Sequence, residues 1–312
     1  MKLVIGSRGS KLALWQARWV GEQLAAAGHE SEIRIIKTTG DKLQTFAPEQ
    51  PLPASMAQTV AAAETKGLFI KEIEEALLAR EVDLAVHSLK DLPVDLPDGL
   101  MLGAVPKRED AQDVLISRDA KKLADLAPNA RIATSSPRRQ TQLRALRPDL
   151  SYVPMRGNLD TRLAKLERGD CEALVLAAAG VHRLGFSSRV TAYFSFDEMC
   201  PAVGQGALGI EVRADDAAIR EAVAKLDDPP TQMAVRAERA MLRCLGGGCQ
   251  VPIAAFAEAD GLNLVLRGVV ASQDGTRVIR ARSKGLLSGP EQLGETVAQD
   301  LLAQGARGIL LL

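Results

Sequence analysis

Apolar and polar positions along this chain fall into two rhythms that take turns. Short apolar runs, such as LVIG after Lys2, have the length of strands, and SEIRIIKT (31–38) reads as the next one. Between them, LALWQARWVGEQLAAA (12–27) places apolar residues at helical spacing and stops near Gly28. Strand, helix, strand at these lengths predicts a βαβ unit of an α/β sheet. The rhythm lapses over 44–65, where three prolines and small residues give no period and predict a long loop. It resumes with a helix over LFIKEIEEALLAR (68–80) and a strand over DLAVHSL (83–89). Further units follow: ARIATSS into PRRQTQLRAL, SYVPMRG into LDTRLAKLERG, then ALVLAAAG. The stretch DDPPT (227–231) separates these from a last segment. That segment reads as a helix over 232–245, strands VPIAAFAEA and LNLVLRGVVAS, a hairpin at Asp274-Gly275, a strand TRVIRARSKG and a closing helix. A small α+β domain is expected there.

Composition narrows the function classes. The chain has 312 residues, enough for two or three domains, and 46% are hydrophobic. Basic and acidic residues number 39 each, so no overall field draws the chain to nucleic acid or lipid, and any basic site must be local. With only 3% aromatic residues, the chain also argues against a single-strand binder, which relies on stacking platforms. The apolar start soon meets Arg8 and Lys11, unlike a secretory signal, and no run is long enough to span a bilayer. A cytoplasmic location is expected. Four cysteines in such a chain do not read as a disulfide framework, and three scattered histidines do not make a metal site.

One junction recurs. A strand ends, a polar turn follows, and arginine stands where the next helix begins: IGSRGSKLAL (5–14), IATSSPRRQTQL (132–143) and PMRGNLDTRL (154–163). Free N–H groups at a helix start attract an anion, and the guanidinium fork suits carboxylates. In TSSPRR, Ser135 or Ser136 caps the helix and Pro137 enters its first turn, leaving Arg138 and Arg139 to project near the mouth. A single arginine of this kind is usually solvated surface; several facing one crevice call for a polyanionic ligand. Asp91, just past a strand end beside Lys90, is the candidate to stabilise a developing cation or exchange protons, against a loop-capping role before Pro93. For His87 a satisfied histidine in the strand is the favoured reading. Cys249 follows Gly246 to Gly248 in LRCLGGGCQVP, a loop pliable enough to present a thiol as a nucleophile, whereas Cys244, among Met241, Leu242 and Leu245, reads as core.

Taken with the motifs SRGSKLALWQ, KGLFIKEIEEALL, DLAVHSLKDLP, TSSPRRQTQL, RGNLDTRLAKL, AGVHRLG, PAVGQGALGIE and GGGCQVP, in that order, the whole chain resembles the porphobilinogen deaminase (hydroxymethylbilane synthase) family. The resemblance implies an α/β fold of two similar domains like those of two-lobed binding proteins, plus a small α+β C-terminal domain. It implies boundaries at 1–106 with 207–226 for domain 1, 107–206 for domain 2 and 227–312 for domain 3. It further implies a dipyrromethane cofactor joined by a thioether to Cys249, and porphobilinogen as the substrate of a monomer that binds neither nucleic acid nor membrane. Four porphobilinogens would lose ammonia and add in turn to this primer, and hydrolysis would release hydroxymethylbilane. By motif match Asp91 is the catalytic acid, and Arg8, Arg138, Arg139, Arg156, Arg162 and Arg183 pair with substrate carboxylates, helped by Ser10, Ser136 and Lys90. Gln205 would lie at the interdomain hinge and Lys66 in an active-site loop. That loop departs from the family pattern, since Ala62 and Ala63 stand where a second lysine is often found. A polycarboxylate receptor would explain the arginines but not Cys249 or Asp91.

Overall fold

The computed structural model describes residues 1–44, 69–155, 157–247 and 252–310. They form two α/β lobes and a small C-terminal α+β domain, in two compact units: Met1–Lys107 with Ala207–Asp228, and Arg108–Gly206 with Pro229–Leu312.

Unit 1 opens with β1 (Lys2–Ser7), α1 (Lys11–Ala26) and β2 (Glu30–Ile35), the βαβ unit read from the sequence. Ser10 caps α1, its hydroxyl oxygen accepting the Ala13 N–H, so the helix starts one residue before its apolar stripe. A short helix α2 (Thr39–Gln44) follows, and α3 (Lys71–Leu78) leads into β3 (Leu84–Ser88) and β4 (Leu100–Ala104). The chain returns later with β10 (Leu208–Arg213) and α7 (Ala217–Ala224) to complete a five-stranded sheet in the order β2-β1-β3-β10-β4. β1 pairs parallel with β2 and β3, whereas β10 runs antiparallel to both of its neighbours. Strand alternation sorts the two faces: Leu84, Val86, Ile210 and Val212 pack with α1 and α7, while Ala85 packs with Ile73, Ala76 and Leu77 of α3.

Unit 2 repeats the plan with β5 (Asp113–Ser117), β6 (Arg131–Ala133), α4 (Pro137–Leu146), β7 (Ser151–Val153), α5 (Leu159–Arg168), β8 (Ala173–Ala177), α6 (Ala178–Arg183) and β9 (Ala192–Tyr193). The sheet order is β7-β6-β8-β5-β9, with β6 parallel to β7 and β8, and β5 antiparallel to β8 and β9. The remainder of the unit is α8 (Pro229–Cys244), the antiparallel strands β11 (Ile253–Asp260), β12 (Asn263–Ala271) and β13 (Val278–Leu286), and α9 (Pro290–Leu301). One side of this small sheet shares a core with Ala237, Met241, Val297 and Leu301 of the two helices; Phe256, on the other side, stacks on Phe196 at 3.9 Å.

Several expectations need correcting. The stretch 227–231 does separate the two segments, since unit 1 ends at Asp228, but the last helix starts earlier than read: α8 begins inside the stretch at Pro229, because proline's fixed φ and missing N–H suit a first helical turn. β4, β5, β9 and β10 carry no alternation that the sequence pattern revealed; every residue of β10 is buried, as expected of a strand covered on both faces. Cys244 is exposed rather than core, since the last turn of α8 directs Met241 and Leu245 inward and leaves the thiol outside. The Asp274-Gly275 hairpin joins β12 to β13 as read, with Gly275 at φ 75°. The expected loop at 44–65 lies almost wholly outside the described residues, from 45 onward, as do Lys66, Arg156 and Cys249.

Candidate functional site

In unit 1 the candidates gather at the carboxyl ends of β1 and β3, the edge where open α/β sheets take their ligands. Arg8, just past β1, gives Nε to Asp41 Oδ1 at 3.1 Å and Nη2 at 2.5 Å, and its guanidinium lies 4.2 Å from the Phe69 ring centre. Burial works against ionisation of Asp41, yet hydrogen bonds from Arg8 and Thr38 outweigh it and hold the carboxyl below its ordinary value. Arg8 is thereby fixed by a fork and a ring before any ligand arrives. Ser10 accepts one N–H as cap and keeps its own O–H to donate. β3 ends in a one-turn 3-10 helix, Leu89–Asp91, in which Lys90 is half-buried and Asp91 exposed. Buried Gln16 of α1 donates to Ser88 Oγ at 2.8 Å, securing the residue on which that turn begins. His87 is buried within β3 with Nε2 2.9 Å from Glu211 Oε2, the satisfied strand histidine expected.

Unit 2 concentrates cations. Ser136 caps α4 through its hydroxyl oxygen, which accepts the Arg139 N–H, and Pro137 enters the first turn as read from the sequence. Arg138 and Arg139 do not project outward. Both turn under the helix start to one buried carboxylate, Asp113 at the head of β5: Arg138 Nη1 lies 2.7 Å from Oδ2 and Arg139 Nη2 2.8 Å from Oδ1. Arg138 also donates to the Cys200 carbonyl, and Arg139 to that of Val175. Arg162, half-buried on α5, donates Nε to the Gly157 carbonyl at 2.9 Å. Burial lowers the pKa of Arg139, with Asp113 offsetting part of the effect and Arg138 adding to it. Arg162 is lowered by burial and then by the charge of Arg139. Arg183, half-buried at the end of α6, donates to the Gly206 carbonyl; burial brings its pKa down to about 10, partly offset by Glu109. Even there a guanidinium stays charged at neutral pH.

Gln205 is fully buried where the chain leaves unit 2, its Nε2 donating to the Ala111 carbonyl at 2.7 Å and to Asp113 Oδ1 at 3.1 Å. The following Gly206 has φ 86°, and a Cβ there would stand 2.4 Å from the Glu109 carbonyl oxygen, so only glycine fits. Arg108, at the entry to the unit, donates to the Gln205 carbonyl and forks onto Glu238 of α8, which also accepts the Gly204 and Ala257 N–H groups. Entry and exit segments are thus fastened to one buried carboxylate.

Pattern reasoning missed Asp113, Asp41, Gln16, Arg108 and Glu238. Asp113 left a signal, a charge at the head of the apolar run VLI, where a buried strand needs a reason to carry an acid. The others are defined by partners distant in sequence. Among the described residues no group of three or more His, Cys, Asp or Glu could hold a metal ion, and no helix is long and apolar enough to cross a membrane.

The donor set suits a ligand with several carboxylates: in unit 2, the guanidinium groups of Arg138 and Arg139 share one acid, Asp113, and Arg162 lies near enough to feel the charge of Arg139. Residues 3–221 match the family model described as "Porphobilinogen deaminase, dipyromethane cofactor binding domain", and residues 232–303 match "Porphobilinogen deaminase, C-terminal domain". The chain is 49% identical to a porphobilinogen deaminase of Syntrophobacter fumaroxidans, over 98% of this chain and 96% of that one. It is 50% identical to one from Desulforudis audaxviator, over 99% and 97%. Among solved structures, a nutrient binding protein from Burkholderia cenocepacia bound to methionine overlaps 77% of this chain and 94% of its own at a TM-score of 0.43 and 13% identity. Two family models that between them span nearly the whole chain, and relatives near half identity over their full lengths, establish that the chain belongs to the porphobilinogen deaminase family.

Proposed function

We infer that the chain carries out the reaction of its family, joining four porphobilinogen molecules with loss of ammonia and releasing hydroxymethylbilane by hydrolysis. The observation that carries this reading is the surplus of guanidinium charge in unit 2. Every pyrrole unit of the substrate bears two carboxylates, and among the described residues Arg138 and Arg139 share the single carboxylate of Asp113, while Arg162 gives its Nε to a carbonyl and feels the charge of Arg139. A buried cation without an anion is costly, so a polyanionic ligand is what such a site is built to receive. A dipyrromethane held by Cys249 would supply the nucleophilic pyrrole carbon on which substrate units are joined. Arg8, Ser10, Lys66, Lys90, Ser136, Arg138, Arg139, Arg156, Arg162 and Arg183 bind and orient carboxylates in this reading, and Gln205 belongs to the hinge.

Asp91 is the catalytic residue. Exposed at the end of its 3-10 turn, its carboxylate is free of burial and set to stabilise positive charge on a substrate pyrrole nitrogen and to take up a proton. Arg8, already locked by Asp41 and Phe69, presents its charge without further loss of side-chain freedom. We read the chain as three domains, at 1–106 with 207–226, 107–206 and 227–312. We also read it as a cytoplasmic monomer with no nucleic-acid partner, in keeping with its balanced charge.

Turnover of porphobilinogen, followed by ammonia release, tests the assignment. Asp91→Ala is expected to abolish it while leaving the thermal midpoint unchanged. A loss below about tenfold, a barrier change of roughly 1.4 kcal/mol, would remove Asp91 from the mechanism.

A further inference from the structure

The face of the unit 1 sheet that receives α3 is charged where a helix seat is ordinarily apolar. Glu211 of β10 stands opposite Ala85 of β3, and alternation turns His87 to the same side, toward α3. Glu211 is fully buried, and its Oε2 has the His87 Nε2 at 2.9 Å. Its Oε1 is buried with no hydrogen-bond partner among the described residues. On α3, Glu74 Oε1 is buried and unpartnered in the same manner. Burial first, and the nearby charge of Glu211 second, push the Glu74 carboxyl up to about 7; His87 offsets part of this and Glu75 adds to it.

The remaining charges around α3 are engaged elsewhere. Arg213, two residues along β10, donates to the Leu77 and Val82 carbonyls and pairs with Asp216 and Asp83. Glu72 accepts the Thr39 N–H and hydroxyl through Oε1, with its Oε2 and the Arg213 Nε buried and unpartnered among the described residues, and Lys71 pairs with Glu75 on the solvent side. Lys2 of β1 pairs with Glu32 at the surface, and β4 carries no ionisable side chain. Two bare buried carboxyl oxygens whose charges disfavour each other are relieved by one proton, which removes one charge and with it the repulsion.

We propose that Glu74, Glu211 and His87 form a proton-holding cluster that seats α3 on the unit 1 sheet and positions the end of β3, where Lys90 and Asp91 follow. When the proton leaves to solvent, two like charges face each other and the seat loosens. The sign is definite. Glu74 binds its proton more tightly folded than unfolded, so stability from this group is full below the ordinary glutamate value of 4.5 and is lost as pH rises through about 7.

Glu74→Gln supplies a permanent donor of the same shape. Thermal midpoints of wild type and Glu74→Gln, read across about pH 5 to 8.5, are expected to diverge through about 7, with the variant the more resistant at the alkaline end. A constant difference across that range overturns the proposal. Infrared difference spectra keep the test open even if the variant folds poorly: wild type should lose a protonated-carboxyl band on passing from about pH 6 to 8.5, and no such band at the lower pH overturns the proposal as well. The positioning part is read from kcat, which should fall on the alkaline side more steeply in wild type than in Glu74→Gln; identical profiles contradict it. The thermal and infrared readings need no substrate, so their failure is distinct from failure of the functional assignment.

Discussion

Unit 1 and the first part of unit 2 use one sheet order and place their buried acids differently. β10 pairs with β3 so that Leu208 meets Ser88, and β5 pairs with β8 so that Asp113 meets Ala177, the last residue of each parallel strand. By this register Asp113 occupies the place of Leu208, at the sheet edge, whereas Glu211 stands where the second lobe has Ile116, three residues into the sheet. Both lobes also open their first parallel βα turn on a serine cap, Ser10 and Ser136. A shared scaffold therefore does not dictate the charge it carries. The edge acid draws two arginines to the helix mouth and leaves positive charge over; the inner acid is met by an imidazole and a second carboxyl, remote from any ligand edge.

The sharpest way to break this comparison is to delete each acid. Asp113→Ala strands two buried guanidinium groups and is expected to destabilise the protein by about 3–5 kcal/mol in urea unfolding. Glu211→Ala leaves an imidazole without a partner and should cost about 1–3 kcal/mol. Equal losses would show that the two acids do the same work, and the reverse order would contradict the roles given to them. A smaller effect sharpens the contrast. Arg162→Leu removes a cation that burial already disfavours, so stability should hold or rise by about 1 kcal/mol. Affinity for a polycarboxylate ligand should nonetheless fall at least about tenfold. A variant that loses stability while retaining affinity would make Arg162 a structural residue.

Much of this was legible in the chain. Ser136, Pro137 and the two arginines announce a capped helix, and GSRGS announces another, because cap chemistry is local. The direction of Arg138 and Arg139 was not legible, since it depends on Asp113, separated from them by two dozen residues and reached only when β5 inserts beside β8. β10 escaped the pattern because burial on both faces erases alternation, and it returns to the first sheet from more than a hundred residues away. Cys244 misled because a thiol among leucines reads as core, while the phase of a helix's last turn decides which side it faces.

A primer made from the protein's own substrate and joined to the Cys249 sulfur would be visible in the intact mass of the purified protein. The expected mass exceeds that of the polypeptide by two deaminated porphobilinogen units, an increment absent from Cys249→Ser. A wild-type protein that turns over porphobilinogen at its bare polypeptide mass would contradict it.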